Sequence, residues 1–329
     1  MKKITIVGSG ALGTALANVL YDANKTNQIT IYGVDELELK DLEQGKNTKY
    51  FGNIEVNKFK TSNDLSKSLD NVDYIVLALP SKAIDSVMDQ ICKYIKSKTI
   101  IINGCKGFYP NTEIALHAGL VKKIQNNKNI KGVVSVCGPS FAIEIVKRAL
   151  TSIAAVGYDE EQVKEVQQLF KTNYFKLYRQ TDVIGAEVGG IYKNILAIGA
   201  GMLTELGFKI NTLASYLTRG MKELATFNEH MGGKEKTIYG LTGLGDLILT
   251  ATDTNSRNFT FGMNFAKGIK ETKNITLEGL TALEVVEKIR IKNNLYLPIQ
   301  AALYNVIYNG KTFEEEITKL WTTELKSED

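Results

Sequence analysis

Short runs of β-branched and other apolar residues alternate with helix-spaced stretches through the first half of this chain. Beyond Asp182 the short runs give way to long apolar-periodic segments. Strands are predicted at residues 4–7, 29–32, 74–79, 99–102, 133–137, 153–156 and 175–178, with helices over 35–43, 83–95, 112–124 and 160–170 between them. Such alternation builds βαβ units and a mostly parallel sheet, and the later pattern builds an all-helical second unit. The division is placed at 1–180 and 181–329, although no repeat, low-complexity tract or proline-rich linker marks the joint.

The first strand runs directly into Gly8-Ser9-Gly10-Ala11-Leu12-Gly13 and then into a helix-forming stretch over 14–20. A strand, G-x-G-x-x-G and a helix in that order predict a Rossmann-type dinucleotide site. Gly8 makes the tight turn, Gly10 lets backbone approach a pyrophosphate, and Gly13 lets helix pack on strand. The phosphates would rest on free N–H groups at the helix N-terminus. A secretory leader would share the basic start, the apolar stretch and Ala15-Leu16-Ala17, but three spaced glycines and Asn18 fit it poorly. Asp35 lies roughly 20 residues past Gly13, near the distance at which an acid accepts from a ribose 2′-hydroxyl. It is not directly at the strand end, and Lys40 is near, but no arginine follows to hold a 2′-phosphate, which favours NAD over NADP.

The 329 residues suffice for about two domains of ordinary size. A balance of 40 Lys+Arg against 36 Asp+Glu leaves +4, too little to argue for nucleic acid or an anionic membrane as main partner. Cys92, Cys105 and Cys137 are odd in number and lack C-x-x-C spacing, which points to a reducing compartment. No uncharged apolar run reaches the roughly 18 residues of a membrane span. A soluble, cytoplasmic protein is expected.

In a doubly wound sheet, ligands lie beyond the C-terminal ends of the strands, so the loops there carry the candidate chemistry. Lys106, in Asn103-Gly104-Cys105-Lys106-Gly107, faces the cleft mouth and can neutralise an anion, though a lone loop lysine is ordinarily solvated. In Cys137-Gly138-Pro139-Ser140-Phe141, Pro139 suits a first helical turn, and Ser140 either donates into the cleft or caps the helix, capping being the simpler reading. The stretch from Glu187 to Gly201 is helix-like, rich in glycine and alanine, with Lys193 at its apolar centre. Glycine in a helix costs about 1 kcal/mol relative to alanine, so their number predicts close backbone approach. A desolvated lysine is a plausible general base, and a snorkelling lysine is the alternative. Further on, Asp246 follows Gly243 and Gly245 where an acid would cap a helix, and Arg257 and Asn258 offer a forked cation and an amide to a phosphate.

Taken together, GSGALGTALAN, LALPS, CKG, CGPSFA, EVGGIYKNILAIGAG, GLTGLGDLILT, NSRN and LEG resemble the bacterial NAD(P)-dependent glycerol-3-phosphate dehydrogenases over residues 4–298. The resemblance implies a Rossmann domain followed by an all-helical one, no metal, and interconversion of sn-glycerol 3-phosphate and dihydroxyacetone phosphate with NAD(H) or NADP(H), supplying phospholipid synthesis. It implies Lys193 as proton acceptor and Lys106 as a contact to both cofactor and substrate. On the substrate side it adds Gly138, Ser140, Asp246, Ser256, Arg257 and Asn258. On the cofactor side it adds Ser9, Leu12, Ala142, Thr276 and Glu278, with Arg257 reaching across. Two departures stand out: Gly33-Val34-Asp35 lacks the basic or histidine residues of many relatives, and Thr276 replaces a commonly apolar residue. His117 and His230 lie in no motif, which argues against a histidine base. A small-molecule substrate is the expected partner, a homodimer is compatible, and neither nucleic acid nor membrane insertion is expected. A 3-hydroxy acid or ketopantoate-type reductase is the competing enzyme class and a nucleotide sensor the competing binding module. GLGDL with SRN argues against the first and Lys193 against the second.

Overall fold

The computed structural model describes residues 1–269 and 277–322. Eight strands form one sheet in the order β3-β2-β1-β4-β5-β6-β7-β8: β1 Lys3–Val7, β2 Gln28–Tyr32, β3 Lys60–Ser62, β4 Tyr74–Leu77, β5 Thr99–Asn103, β6 Ile130–Cys137, β7 Thr151–Val156 and β8 Phe175–Gln180. Every neighbouring pair is parallel except β6 with β7. Every residue of β4 and β5 is buried, as helices on both faces demand, so these strands read as unbroken apolar runs. At the far edge β8 alternates buried and exposed positions over its first four residues. Sequence patterning located seven of the strands and missed β3, whose three residues Lys60-Thr61-Ser62 are polar and sit at the other edge beside β2.

Chain order reverses at β1, which pairs with β2 on one side and β4 on the other. A crevice therefore opens past its C-terminal end, where the fingerprint turns into the helix Ala11–Ala23. Gly8 adopts φ +125°, and a Cβ there would meet the Ala78 carbonyl oxygen at 2.1 Å. A Cβ on Gly13 would lie 1.9 Å from the Gly8 carbonyl, which is the close helix–strand packing the motif predicts.

After β8 the helix Val183–Glu205 begins, its first-turn N–H at Gly185 capped by Asp182. By length and composition it would cross a membrane, but it is buried continuously from Gly185 to Leu203 inside the helical half. Around it pack the helices Ile210–Met231, Asp246–Ala251, Arg257–Ala266 and Glu278–Lys292. The expected close approach is real. A Cβ on Gly201 would sit 2.0 Å from the Phe259 carbonyl, and one on Gly262 would sit 2.0 Å from the Ile198 carbonyl.

One buried carboxylate ties this helix to the sheet half. Glu187 accepts the His117 backbone N–H at 2.7 Å, at the start of the helix Leu116–Ile124. That helix begins four residues later than its sequence pattern suggests, after a turn in which Thr112 bonds the Tyr109 carbonyl and the Ile114 N–H. Burial pushes the Glu187 carboxyl up to about 8, against the pull of the helix N–H groups. His117 itself is fully buried, bonds Ser135 through Nδ1 at 2.9 Å, and burial takes its imidazole down to about 4, so it is a neutral core residue.

The Gly201–Gly262 contact gives a direct test. Alanine at Gly201 gains about 1 kcal/mol of helix propensity but forces two backbones apart, at a cost of roughly 1–3 kcal/mol. Gly201→Ala is therefore expected to lower the denaturant midpoint. A raised midpoint would show that the two helices are free to separate.

Candidate active site

Three elements bring charge to one point. Lys193 lies midway along Val183–Glu205, Lys106 on the loop after β5, and Asp246 at the first position of Asp246–Ala251. The Asp246 carboxylate takes Lys193 Nζ on Oδ1 at 2.9 Å and Lys106 Nζ on Oδ2 at 2.6 Å. Asp246 and Lys193 are almost fully buried, and Lys106 is partly so. Lys193 also donates to Thr250 Oγ1 at 2.6 Å, and Lys106 to the Gly138 carbonyl at 3.4 Å. Burying an ammonium is costly unless it is paired and hydrogen-bonded, and both conditions are met here.

The two lysines diverge electrostatically. Burial brings Lys193 down to about 8, with the Lys106 charge acting in the same direction and Asp246 resisting. At Lys106 burial works against the charge as well, but Asp246 outweighs it and holds the ammonium above its ordinary range. One lysine can thus exchange a proton near neutrality while its neighbour stays charged.

Asp246 is not the helix cap its sequence position suggests. The preceding Leu241–Gly245 forms a wide π-type turn, and Gly245 already has helical φ and ψ of −60° and −46°. The backbone enters the helix without the extended cap residue that an aspartate needs, so the carboxylate is free to reach the lysines. Ser140 does not cap either. Its helix is Ala142–Val146 with Phe141 at the cap position, and the hydroxyl bonds the Gly138 carbonyl at 3.2 Å. Pro139 consequently lies ahead of that helix and not in its first turn.

These groups open onto a cleft of about 510 Å³ between the sheet and the helical half. Gly10, Leu12 and Ala142 line it on the sheet side, with Lys106 and Ser140 at the strand ends. Lys193, Asp246, Ser256, Arg257, Asn258 and Glu278 line the opposite wall. Gly8 and Gly13 pack against each other beside the turn, and the Gly138 carbonyl accepts from Lys106 and Ser140. Ser9 is buried within the dinucleotide loop with its hydroxyl on Glu38, and it is not among the side chains lining the cleft. Ser256 caps Arg257–Ala266 by accepting from the Phe259 N–H at 3.3 Å. Asn258 is largely committed: it donates to Asn194 Oδ1 at 3.0 Å and accepts from the Gly279 N–H at 3.1 Å. Arg257 is exposed at the rim and pairs with no carboxylate among the described residues. Thr276 lies outside the described residues.

Two participants escaped sequence reading. Thr250 follows Asp246 by four residues on one helix, and that spacing alone places both on one face. Glu38 carried no motif; only the fold brings it to Ser9, Lys49 and Tyr50.

The sheet-side wall fits a dinucleotide. Gly10 caps Ala11–Ala23 with no side-chain bond and no acid in the first turn, leaving helix N–H groups for a pyrophosphate. A Cβ on Gly10 would meet the Tyr50 side chain at 3.7 Å, an ordinary contact, so Tyr50 forms one side of the space above this glycine. A Rossmann sheet whose cleft is closed by a buried lysine brought down to about 8 defines a dinucleotide-dependent oxidoreductase of the CH–OH group. Relatives narrow the class. The chain belongs to the NAD-dependent glycerol-3-phosphate dehydrogenase family, whose N-terminal model matches residues 3–163 and whose C-terminal model matches 182–318. It is 50% identical over 331 residues to glycerol-3-phosphate dehydrogenase (NAD(P)+) of Mycoplasma mobile, covering 99% of this chain and 98% of that one. The like-named enzyme of Clostridium botulinum is 38% identical, covering 100% and 99%. The crystal structure of glycerol-3-phosphate dehydrogenase from Coxiella burnetii superposes with a TM-score of 0.88 at 28% identity, covering 98% and 99%.

Because Asp246 is what resists deprotonation of both lysines, its removal has a defined sign. Asp246→Asn is expected to move the Lys193 titration downward from about 8 by at least one unit, read by NMR of selectively labelled lysine. An upward shift or none would show that the carboxylate does not set the pair.

Proposed function

We propose that this chain interconverts sn-glycerol 3-phosphate and dihydroxyacetone phosphate with NAD(H) or NADP(H), supplying glycerol 3-phosphate for glycerophospholipids. Residues 1–180 provide the cofactor half and 181–329 the catalytic half. The observation that carries the reading is the Lys193–Asp246–Lys106 bridge, which joins a proton-exchanging lysine to a permanently charged one at the mouth of a dinucleotide cleft. Three unpaired cysteines fit a cytoplasmic setting.

Held over the Gly10 turn and the N-terminus of Ala11–Ala23, a bound nicotinamide cofactor would supply hydride acceptance and donation for the substrate C2. The protein's task is the proton and the charge. In the oxidising direction Lys193 enters neutral and removes the hydroxyl proton, held in place by Asp246 and Thr250. In the reducing direction it enters protonated and gives that proton to the developing alkoxide. Lys106 remains an ammonium and stabilises the negative charge on the same oxygen. Arg257, free of protein partners among the described residues, presents its fork to the phosphate, aided by the remaining N–H of Asn258. Ser256, whose oxygen accepts from the Phe259 N–H, keeps its hydroxyl hydrogen to donate, whereas Ser140, whose hydrogen goes to the Gly138 carbonyl, offers acceptor capacity.

The base requirement fixes opposite pH slopes. Oxidation needs neutral Lys193, so its kcat/KM is expected to rise through about pH 8, and reduction needs the ammonium, so its kcat/KM falls through the same pH. Lys193→Ala should lower kcat by roughly 10²–10⁴-fold in both directions; normal turnover would place the base elsewhere. Initial rates of dihydroxyacetone phosphate reduction with each cofactor test the reading as a whole. If neither NADH nor NADPH is oxidised while another carbonyl substrate reacts, the assignment fails. Arg257→Ala should raise KM for the phosphorylated substrate about tenfold or more with a smaller effect on kcat. An unchanged KM would remove Arg257 from the phosphate site.

A further inference from the structure

Past the end of β2, and adjoining the cleft through Tyr50, lies a charge cluster that the reaction does not use. Asp35 does not stand free there: Oδ1 caps the helix Glu36–Gln44 by accepting from the Leu37 and Glu38 N–H groups, and Oδ2 takes Lys49 Nζ at 3.0 Å. Glu38, buried to 6% exposure, takes the same ammonium on Oε1 at 2.7 Å and the Tyr50 hydroxyl at 3.1 Å. Its other oxygen receives the hydroxyl of Ser9, inside the fingerprint. Gly33 makes this last contact possible, since a Cβ there would lie 2.5 Å from Ser9 Oγ.

The cluster borders the cofactor cradle. Tyr50 lines the cleft, and its hydroxyl is the nearest atom to the space above Gly10, at 3.7 Å from a Cβ built there. In a Rossmann unit the pyrophosphate lies over that glycine and the adenosine ribose lies toward the end of β2. The ribose side therefore meets two carboxylates and one ammonium, a net charge of −1, with Lys49 held between the acids. A 2′-phosphate would bring further negative charge against this corner and would have to pull Lys49 from two partners. A 2′-hydroxyl brings none and has carboxylate oxygens to donate to.

We propose that Glu38 and Asp35, closed around Lys49 and fixed by Ser9, make this chain select a dinucleotide with a free adenosine 2′-hydroxyl, NAD(H) over NADP(H). The proposal rests on the dinucleotide reading of the cleft but not on the identity of the carbonyl substrate. Glu38 is the main discriminator because it is buried and pinned to the fingerprint. Asp35 contributes charge from a more exposed position.

Binding measured without turnover separates the two readings. Purified protein titrated with NADH and with NADPH, followed by nicotinamide fluorescence and calorimetry at low ionic strength, is expected to bind NADH about tenfold or more tightly. The preference should narrow as salt is raised. Glu38→Gln is expected to shrink the ratio several-fold, chiefly by improving NADPH. Asp35→Asn guards against a folding defect at the buried site, because asparagine caps a helix as well as aspartate. It should shift the ratio the same way by a smaller factor. Equal or tighter binding of NADPH by the parent chain, or an unchanged ratio in both variants, overturns the proposal. Failure to bind either dinucleotide overturns it together with the cofactor reading. A retained NADH preference in a protein inactive on dihydroxyacetone phosphate supports it while rejecting the substrate assignment.

Discussion

Asp246 placed between two lysines is the constraint around which the catalytic half is organised. Two ammonium groups this close would repel, and each would be expensive to bury alone; a carboxylate using both oxygens converts the expense into a fixed geometry. The bridge also joins parts of the chain far apart in sequence, the loop after β5, the middle of the long helix and the turn after Leu241. Beside the bridge the backbones approach closely at Gly189, where a Cβ would lie 2.6 Å from the Thr242 carbonyl oxygen, so the turn that leads into Asp246 sits directly against the long helix. The small residues of the long helix are thus part of the active site's architecture although they touch no substrate.

Asymmetry between the lysines follows from depth. Lys193 sits deeper than Lys106, so desolvation weakens its hold on a proton, whereas Asp246 prevails at the cleft mouth. A single carboxylate therefore sustains two different protonation states without a histidine.

The sheet was legible in the sequence because strands covered on both faces appear as continuous apolar runs, and the fingerprint announced itself by glycines whose spacing has a steric cause. What escaped was decided by tertiary contact. β3 has no apolar signal, since an edge strand of Lys60, Thr61 and Ser62 is held by pairing with β2 alone. Asp246 looked like a cap because the wide turn before it cannot be inferred from Gly243 and Gly245 by composition. The apolar surroundings of Lys193 were visible, but the neighbours that decide between base and snorkelling residue were 53 and 87 positions away. The motif resemblance connected these segments where periodicity could not, and it left Glu38 unseen because no motif contains it.

Glu187 gives the two halves a relation that their separate family models do not convey. The helix Leu116–Ile124 belongs to the sheet half by position, yet its first N–H groups find their acceptor on the helix that carries Lys193. Cutting the chain between β8 and that helix would leave unmet donors on one fragment and a stranded carboxylate on the other. The catalytic half is consequently not a cartridge that can be exchanged beneath a common nucleotide module; any transplant of one must bring the other's matching surface with it.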